Sequence, residues 1–234
     1  MRLLHSIRSE EIPVCQGQYL CLIGGRRINQ IELWRITRLP DGTEIVRADI
    51  SREGGPDLLT HLQRGPSGRP EWLRVRYKHG SINAAAQYTF EDEVVRVARQ
   101  LEGQPVRQEM MDIATGYEVD YPPVIGHDYV WRGYPDQAQG RVWAMPVFSP
   151  DLWGEEIMGG RVLRFSVKPR GAERCETPAG LFEQASHFEV VLSDGVRAFS
   201  WFDERGIPLR WLYPDKGYDF VLAAYTKHSE ISYT

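Results

Sequence analysis

Residues 68–88 read GRPEWLRVRYKHGSINAAAQY. Leu73, Val75 and Tyr77 alternate with Arg74, Arg76 and Lys78. A period of two puts the apolar side chains on one face of a strand and the charged ones on the other. His79-Gly80 then supplies a turn, and a second short run follows. Working outward, the same grammar recurs. Leu163, Phe165 and Val167 alternate with Arg164, Ser166 and Lys168. Turn signals separate the runs at Pro40-Asp41-Gly42, Gly65-Pro66-Ser67-Gly68, Glu102-Gly103, Asp194-Gly195, Arg205-Gly206 and Asp215-Lys216-Gly217. Such spacing suits antiparallel meanders.

The pattern predicts strands over 17–24, 28–38, 43–52, 57–64, 70–78, 81–90, 93–101, 104–113, 127–132, 141–148, 161–168, 185–193, 196–203, 207–213 and 217–226. Short helices are weighed at 150–158 and 177–184, and three valines tip 87–100 toward strand. A long meander must deal with its edges, and curling into a roll or barrel does so. The strand at 217–226 is apolar on both faces, as expected between a core and a covering layer, a partner or a ligand. The expected fold is therefore all-β: a long antiparallel meander curled into a β-roll or flattened barrel with an internal apolar cavity.

Residues 206–225, GIPLRWLYPDKGYDFVLAAY, echo 68–88 with one gap. The expected organisation is one β-rich domain over 1–234, with two pseudo-repeated halves at about 1–115 and 161–234. Residues 116–160 join them. This segment holds five prolines and seven glycines, interleaved with Tyr117, Tyr121, Tyr129, Trp131, Tyr134, Trp143, Phe148 and Trp153. Disordered linkers are poor in aromatics, so it reads as packed loop that joins the halves or covers a cavity mouth.

Composition narrows the function. The 234 residues carry a net charge of -4, which disfavours non-specific nucleic-acid binding. Mean hydropathy is -0.42, and no window of 18 uninterrupted apolar residues exists, so no membrane insertion is expected. Arginine outnumbers lysine 24 to 4, which suits either an arginine-built site or a GC-rich genome. Cys15, Cys21 and Cys175 are odd in number and lack CxxC spacing, which argues against disulfides and zinc and for a cytoplasmic location. The first fifteen residues are charged throughout, unlike a signal peptide.

Motifs that carry chemistry are few. There is no GxGxxG, P-loop, GxSxG or HExxH, so no cofactor and no metal site is expected. Glu118 and Asp120 share a face if extended, but lack a third ligand. The densest titratable cluster is His127-Asp128-Tyr129, where an imidazole near its working pKa would serve acid–base chemistry. On a strand, however, His127 and Asp128 would diverge, and a surface turn leading into a strand is the plainer explanation. Glu156 is the remaining candidate acid, at a pocket rim or in a solvated charge pair with Glu155. The candidate ligand wall is Trp34, Trp72, Tyr117, Tyr121, Trp131, Tyr134, Trp143, Trp153, Trp201 and Trp211, with core packing the plainer explanation for most.

Residues 175–211 resemble DUF3108-like and lipoprotein-carrier-like β-roll proteins. The residues that carry the resemblance are Thr177, Pro178, Ala179, Gly180 and Phe182, then Trp201, Asp203, Gly206, Pro208, Leu209 and Arg210. The resemblance implies a long antiparallel sheet rolled around an apolar cavity, lipid-carrying in some members. The chain departs from these families in lacking a signal peptide or lipobox. A cytoplasmic relative holding a hydrophobic metabolite is therefore expected, with lipocalin-like cyclases or hydratases as neighbours.

Three functions follow as expectations. The first is binding of a hydrophobic or amphipathic small molecule, such as a lipid, terpenoid or polyketide, in the roll's cavity. The second is a cofactor-free cyclase, isomerase or hydratase using His127, Asp128, Tyr129 and Glu156. The third is a structural or interaction module without ligand. Self-association as a homodimer is left open.

Overall fold

The alternating runs become strands, save the one expected over 127–132. The structure, a computed structural model, describes residues 7–133, 140–152, 156–192 and 195–228. In its first half lie β1 (Ile12–Ile23), β2 (Arg26–Arg38), β3 (Glu44–Arg52), β4 (Asp57–Arg64), β5 (Pro70–His79), β6 (Ile82–Phe90), β7 (Val94–Leu101) and β8 (Arg107–Asp112). A two-residue β9 (Glu118–Val119) follows, then a 3-10 turn (Val124–Asp128) running into a single helical turn, α1 (Tyr129–Arg132). The rest is β10 (Trp143–Asp151), β11 (Gly159–Thr177), β12 (Gly180–Val191), β13 (Arg197–Phe202), β14 (Pro208–Tyr213) and β15 (Tyr218–Lys227).

The fifteen strands of the described residues join one sheet, in the order β8-β7-β6-β5-β4-β3-β2-β1-β15-β14-β13-β12-β11-β10-β9. Neighbours are antiparallel except β9 and β10, which pair in parallel. The first and last strands thus meet in the middle, and β8 and β9 form the two edges. Among the described residues the sheet does not close by hydrogen bonding, but it curls until its two arms touch. Tyr88 on β6 donates its hydroxyl to the Met158 carbonyl at 2.8 Å, and Arg99 on β7 donates to the Ile157 carbonyl at 3.2 Å. Both acceptors lie just before β11.

The period-2 pattern decides which face is inside. On β5, Leu73, Val75 and Tyr77 are buried while Arg74, Arg76 and Lys78 are exposed. The inward side chains of both arms merge into one core, with Leu62, Tyr88, Val147, Val190, Phe202 and Leu209 almost wholly removed from water. On β3, Ile45, Arg47 and Asp49 of the outer face are buried as well. There Glu11 binds Arg47 and Thr37 from just before β1. Among the described residues, no helix is long and apolar enough to cross a membrane.

Three expectations are corrected. Residues 127–132 are helical rather than strand. No helix forms over 177–184, which belongs to the β11–β12 hairpin, nor over the described part of 150–158. That hairpin is also much longer than the pattern predicts, because residues 170–174 lie outside the core and carry no alternation to read. Register shifts near Gly171 and Cys175 bend the arm. The two echoing stretches form the hairpins β5–β6 and β14–β15, but Trp72 sits on the outer face while Trp211 is buried inside.

Candidate functional site

The segment after β9 goes into the roll. Pro122 and Pro123 lack N–H donors and stop the strand, and extended Pro123 hands the chain to a tight 3-10 turn. Gly126 allows the turn to fold back, since a Cβ there would lie 2.5 Å from the Tyr121 carbonyl oxygen. Val124, Ile125, Tyr129 and Val130 are buried in the common core. The chain thereby plugs its own roll with residues 124–130.

Where the plug meets the end of the roll, a cleft of about 800 Å³ opens. It lies at the end where β2 passes into β3, β4 into β5 and β13 into β14. Ile36, Ile125, Ile207 and Trp131 give it apolar wall, and Arg38, Arg69, Arg132 and Arg205 surround them. Trp131 is placed by the β13–β14 turn. Gly206 has φ of +78°, and a Cβ there would fall 2.3 Å from Trp131 Cδ1, so the indole lies flat on glycine. Phe202 and Phe188 pack on its other sides.

The cleft's floor is an ion network. Arg64, with a fully buried side chain, donates to Glu118 at 3.0 Å and to Asp128 at 3.3 Å. Arg132 joins Asp128 across one helical turn and reaches Glu44 at 2.6 Å. Burial pushes the Asp128 carboxyl up, but Arg64 and Arg132 outweigh it and hold the group below its ordinary value. Burial works against charge on Arg64 too, and Asp128 and Glu118 prevail, so it stays protonated. The floor's three carboxylates are therefore engaged by Arg64 and Arg132. Arg38 and Arg69 stand at the rim with side chains 46% and 60% exposed, Arg38 4.0 Å from Glu44 and Arg69 paired with Asp92.

A second polar group lies deeper. His127 Nδ1 is 2.7 Å from Asp120 Oδ1, and Ser149 donates to the other oxygen of Asp120 at 3.4 Å. The His127 ring packs on Trp211, centroids 4.4 Å apart. Nearby, Glu32 projects from β2 and accepts the Ile125 N–H at 3.3 Å. Burial drives the Glu32 carboxyl up to about 7, with the Val124 and Ile125 amides and His127 offsetting only part.

The four candidate catalytic residues do not converge. His127 turns to Asp120, Asp128 to the arginines, and Tyr129 is buried with its hydroxyl pushed far above the ordinary phenol range by desolvation. Glu156 pairs with Arg99 where the arms touch. Of the candidate wall, Tyr117 and Trp131 line the cleft, together with Asp128. Trp34, Tyr121 and Trp211 are buried in the core, and Trp143 packs against its margin. Trp72 and Trp201 belong to the outer face, Trp201 stacked on His187 at 4.5 Å. Tyr134 and Trp153 lie outside the described residues. No local motif marks the cleft's arginines, because they come from strand ends and turns far apart along the chain. Arginine excess was the one available signal.

No family model matches the chain, and no curated protein does. Solved structures do. A β-barrel-like protein of the DUF1849 domain of unknown function from Brucella abortus aligns with TM-score 0.57 and 12% identity, covering 94% of this chain and 100% of that one. A DUF1089 family protein from Pseudomonas aeruginosa aligns with TM-score 0.50 and 13% identity, covering 79% and 90%. Neither is one of the DUF3108-like proteins that residues 175–211 resemble. At such identity the likeness concerns fold alone, and it makes this chain an all-β protein of β-barrel-like architecture.

Proposed function

We propose that the protein is a binding module for an amphipathic small molecule with an anionic head, held in the cleft at the end of the roll. The observation that carries this reading is the pairing of an apolar wall, Ile36, Ile125, Ile207 and Trp131, with a rim of arginines. Arginine's planar fork matches carboxylate or phosphate oxygens, and the indole suits an apolar body. The floor's acids are engaged by Arg64 and Arg132, so the rim guanidinium groups of Arg38 and Arg205 are the ones that would meet the anionic head. Because residues 124–130 fill the roll's middle, the ligand sits at its end rather than along its axis. His127 and Asp120 do not line the cleft, so the geometry gives acid–base turnover no comparable support.

Titration with dodecanoate and with dodecanol, followed by tryptophan fluorescence and calorimetry, tests this. Dodecanoate is expected to bind more tightly than the alcohol, and Trp131→Ala or the double variant R38A/R205A to weaken it by roughly tenfold or more. A folded protein that binds neither dodecanoate nor the apolar dye ANS would overturn the reading in favour of a module without ligand.

A further inference from the structure

A second concave site lies on the outer face of β3, β4 and β5. It has a volume of about 360 Å³, and its lining includes Arg8, Arg47, His61, Trp72, Arg74 and Arg76. The sheet register creates it. Arg35 is paired with Arg47, Arg47 with His61, and His61 with Arg74. Four basic side chains therefore stand in one row across four strands, in a protein whose net charge is -4. Like charges directly opposite one another destabilise a sheet. A carboxylate relieves the row at Arg47: Glu11 takes both terminal nitrogens of Arg47, at 2.7 and 2.6 Å. Asp49 lies two positions further along β3.

Arg47 points to what else belongs there. Its side chain is only 5% exposed, and its Nε finds no acceptor among the described residues. A buried guanidinium edge without a partner is costly, and an oxyanion in the groove would satisfy it. Beside it the Arg74 guanidinium lies over the Trp72 ring, 4.7 Å from the centroid, giving a flat surface both apolar and cationic. Acidic residues bound the patch: Asp57 opposite Lys78 at one end, and Glu71, bound by Gln63, at the other. A polyanionic strand would run over these carboxylates, whereas one phosphate between them would not.

We infer that this groove binds a small phosphate ester carrying a planar ring, of the nucleoside monophosphate class, with Arg47 and Arg76 on the phosphate and the ring stacked on the Arg74 guanidinium that covers Trp72. Calorimetry with AMP, adenosine and inorganic phosphate, each alone, tests it on the full chain. AMP is expected to bind at least roughly tenfold more tightly than either fragment. Arg74→Ala and Arg76→Ala, both at exposed positions, should each weaken AMP by roughly tenfold and leave dodecanoate binding at the cleft unchanged. Trp131→Ala should do the reverse, so the two sites fail separately. No AMP binding at millimolar concentration, or AMP binding unchanged in both arginine variants, would overturn the proposal. Tighter binding of a single-stranded oligonucleotide than of AMP would overturn it in favour of a nucleic-acid surface.

Discussion

Glu32 shows how one residue can work against the fold that holds it. It shares the inward face of β2 with Trp34 and Ile36, and all three are buried. Its carboxyl is moved from an ordinary 4.5 to about 7, so the folded chain binds the proton more tightly than the unfolded chain. The stability this gives is complete below about pH 4.5 and is lost as the pH rises to about 7. At 1.36 kcal/mol per unit, the loss is on the order of 3 kcal/mol. Glu32→Gln mimics the neutral form and keeps an acceptor for the Ile125 amide. Urea unfolding should find the variant more stable than the wild type at pH 8, with the gap closing near pH 4.5. Glu11 and Asp128, whose pKa values are lowered, oppose this trend, but both are present in each protein and cancel from the difference. A gap independent of pH would mean that Glu32 is not the titrating group. The residue was not legible as buried, because Ile31 and Leu33 make the opposite face of β2 equally apolar in the sequence.

At the scale of elements, the plug and the β13–β14 turn are one device. The turn needs φ of +78° at Gly206, and the same bare Cα receives the Trp131 indole. Gly206→Ala adds both backbone strain and a clash with an aromatic ring. It is expected to destabilise the fold by about 1–3 kcal/mol and to lift Trp131 out of place, so that dodecanoate binding weakens. Thermal unfolding checks the first effect and titration the second. A variant with wild-type affinity would show that the indole does not form the cleft's wall. This device has little local signature in the sequence. Alternation found the strands because each side chain there reports its own face. The plug's α-helical part is a single turn, too short for a 3.6-residue period to register. The cleft depends on Arg64 meeting Glu118 and Arg132 meeting Glu44, contacts between distant parts of the chain with no local signature.

At the scale of the molecule, the strand order is a meander cut in an unusual place. In sheet order, β9 to β15 are followed by β1 to β8, so the β1–β15 pairing is the long-range step that fastens the two arms. Meanwhile β8 and β9, consecutive in sequence, sit at opposite edges. Ala114, Thr115 and Gly116 between them are exposed. The His228 amide bonds the Val14 carbonyl at 2.9 Å, so the end of β15 lies beside the start of β1. A circular permutant follows, with the existing ends joined and the chain reopened between Thr115 and Gly116. Every antiparallel pairing then becomes a hairpin between consecutive strands, and no sheet pairing spans the chain. Lower contact order speeds folding, because less loop-closure entropy is spent before contacts form. The permutant is expected to keep the wild-type circular dichroism spectrum and to refold faster from urea, by roughly tenfold. Equal refolding rates would show that the β1–β15 pairing forms after the rate-limiting step. Loss of the fold would show that the 113–117 connection is needed intact, as the tie that carries the chain from one edge across to the other and into the plug.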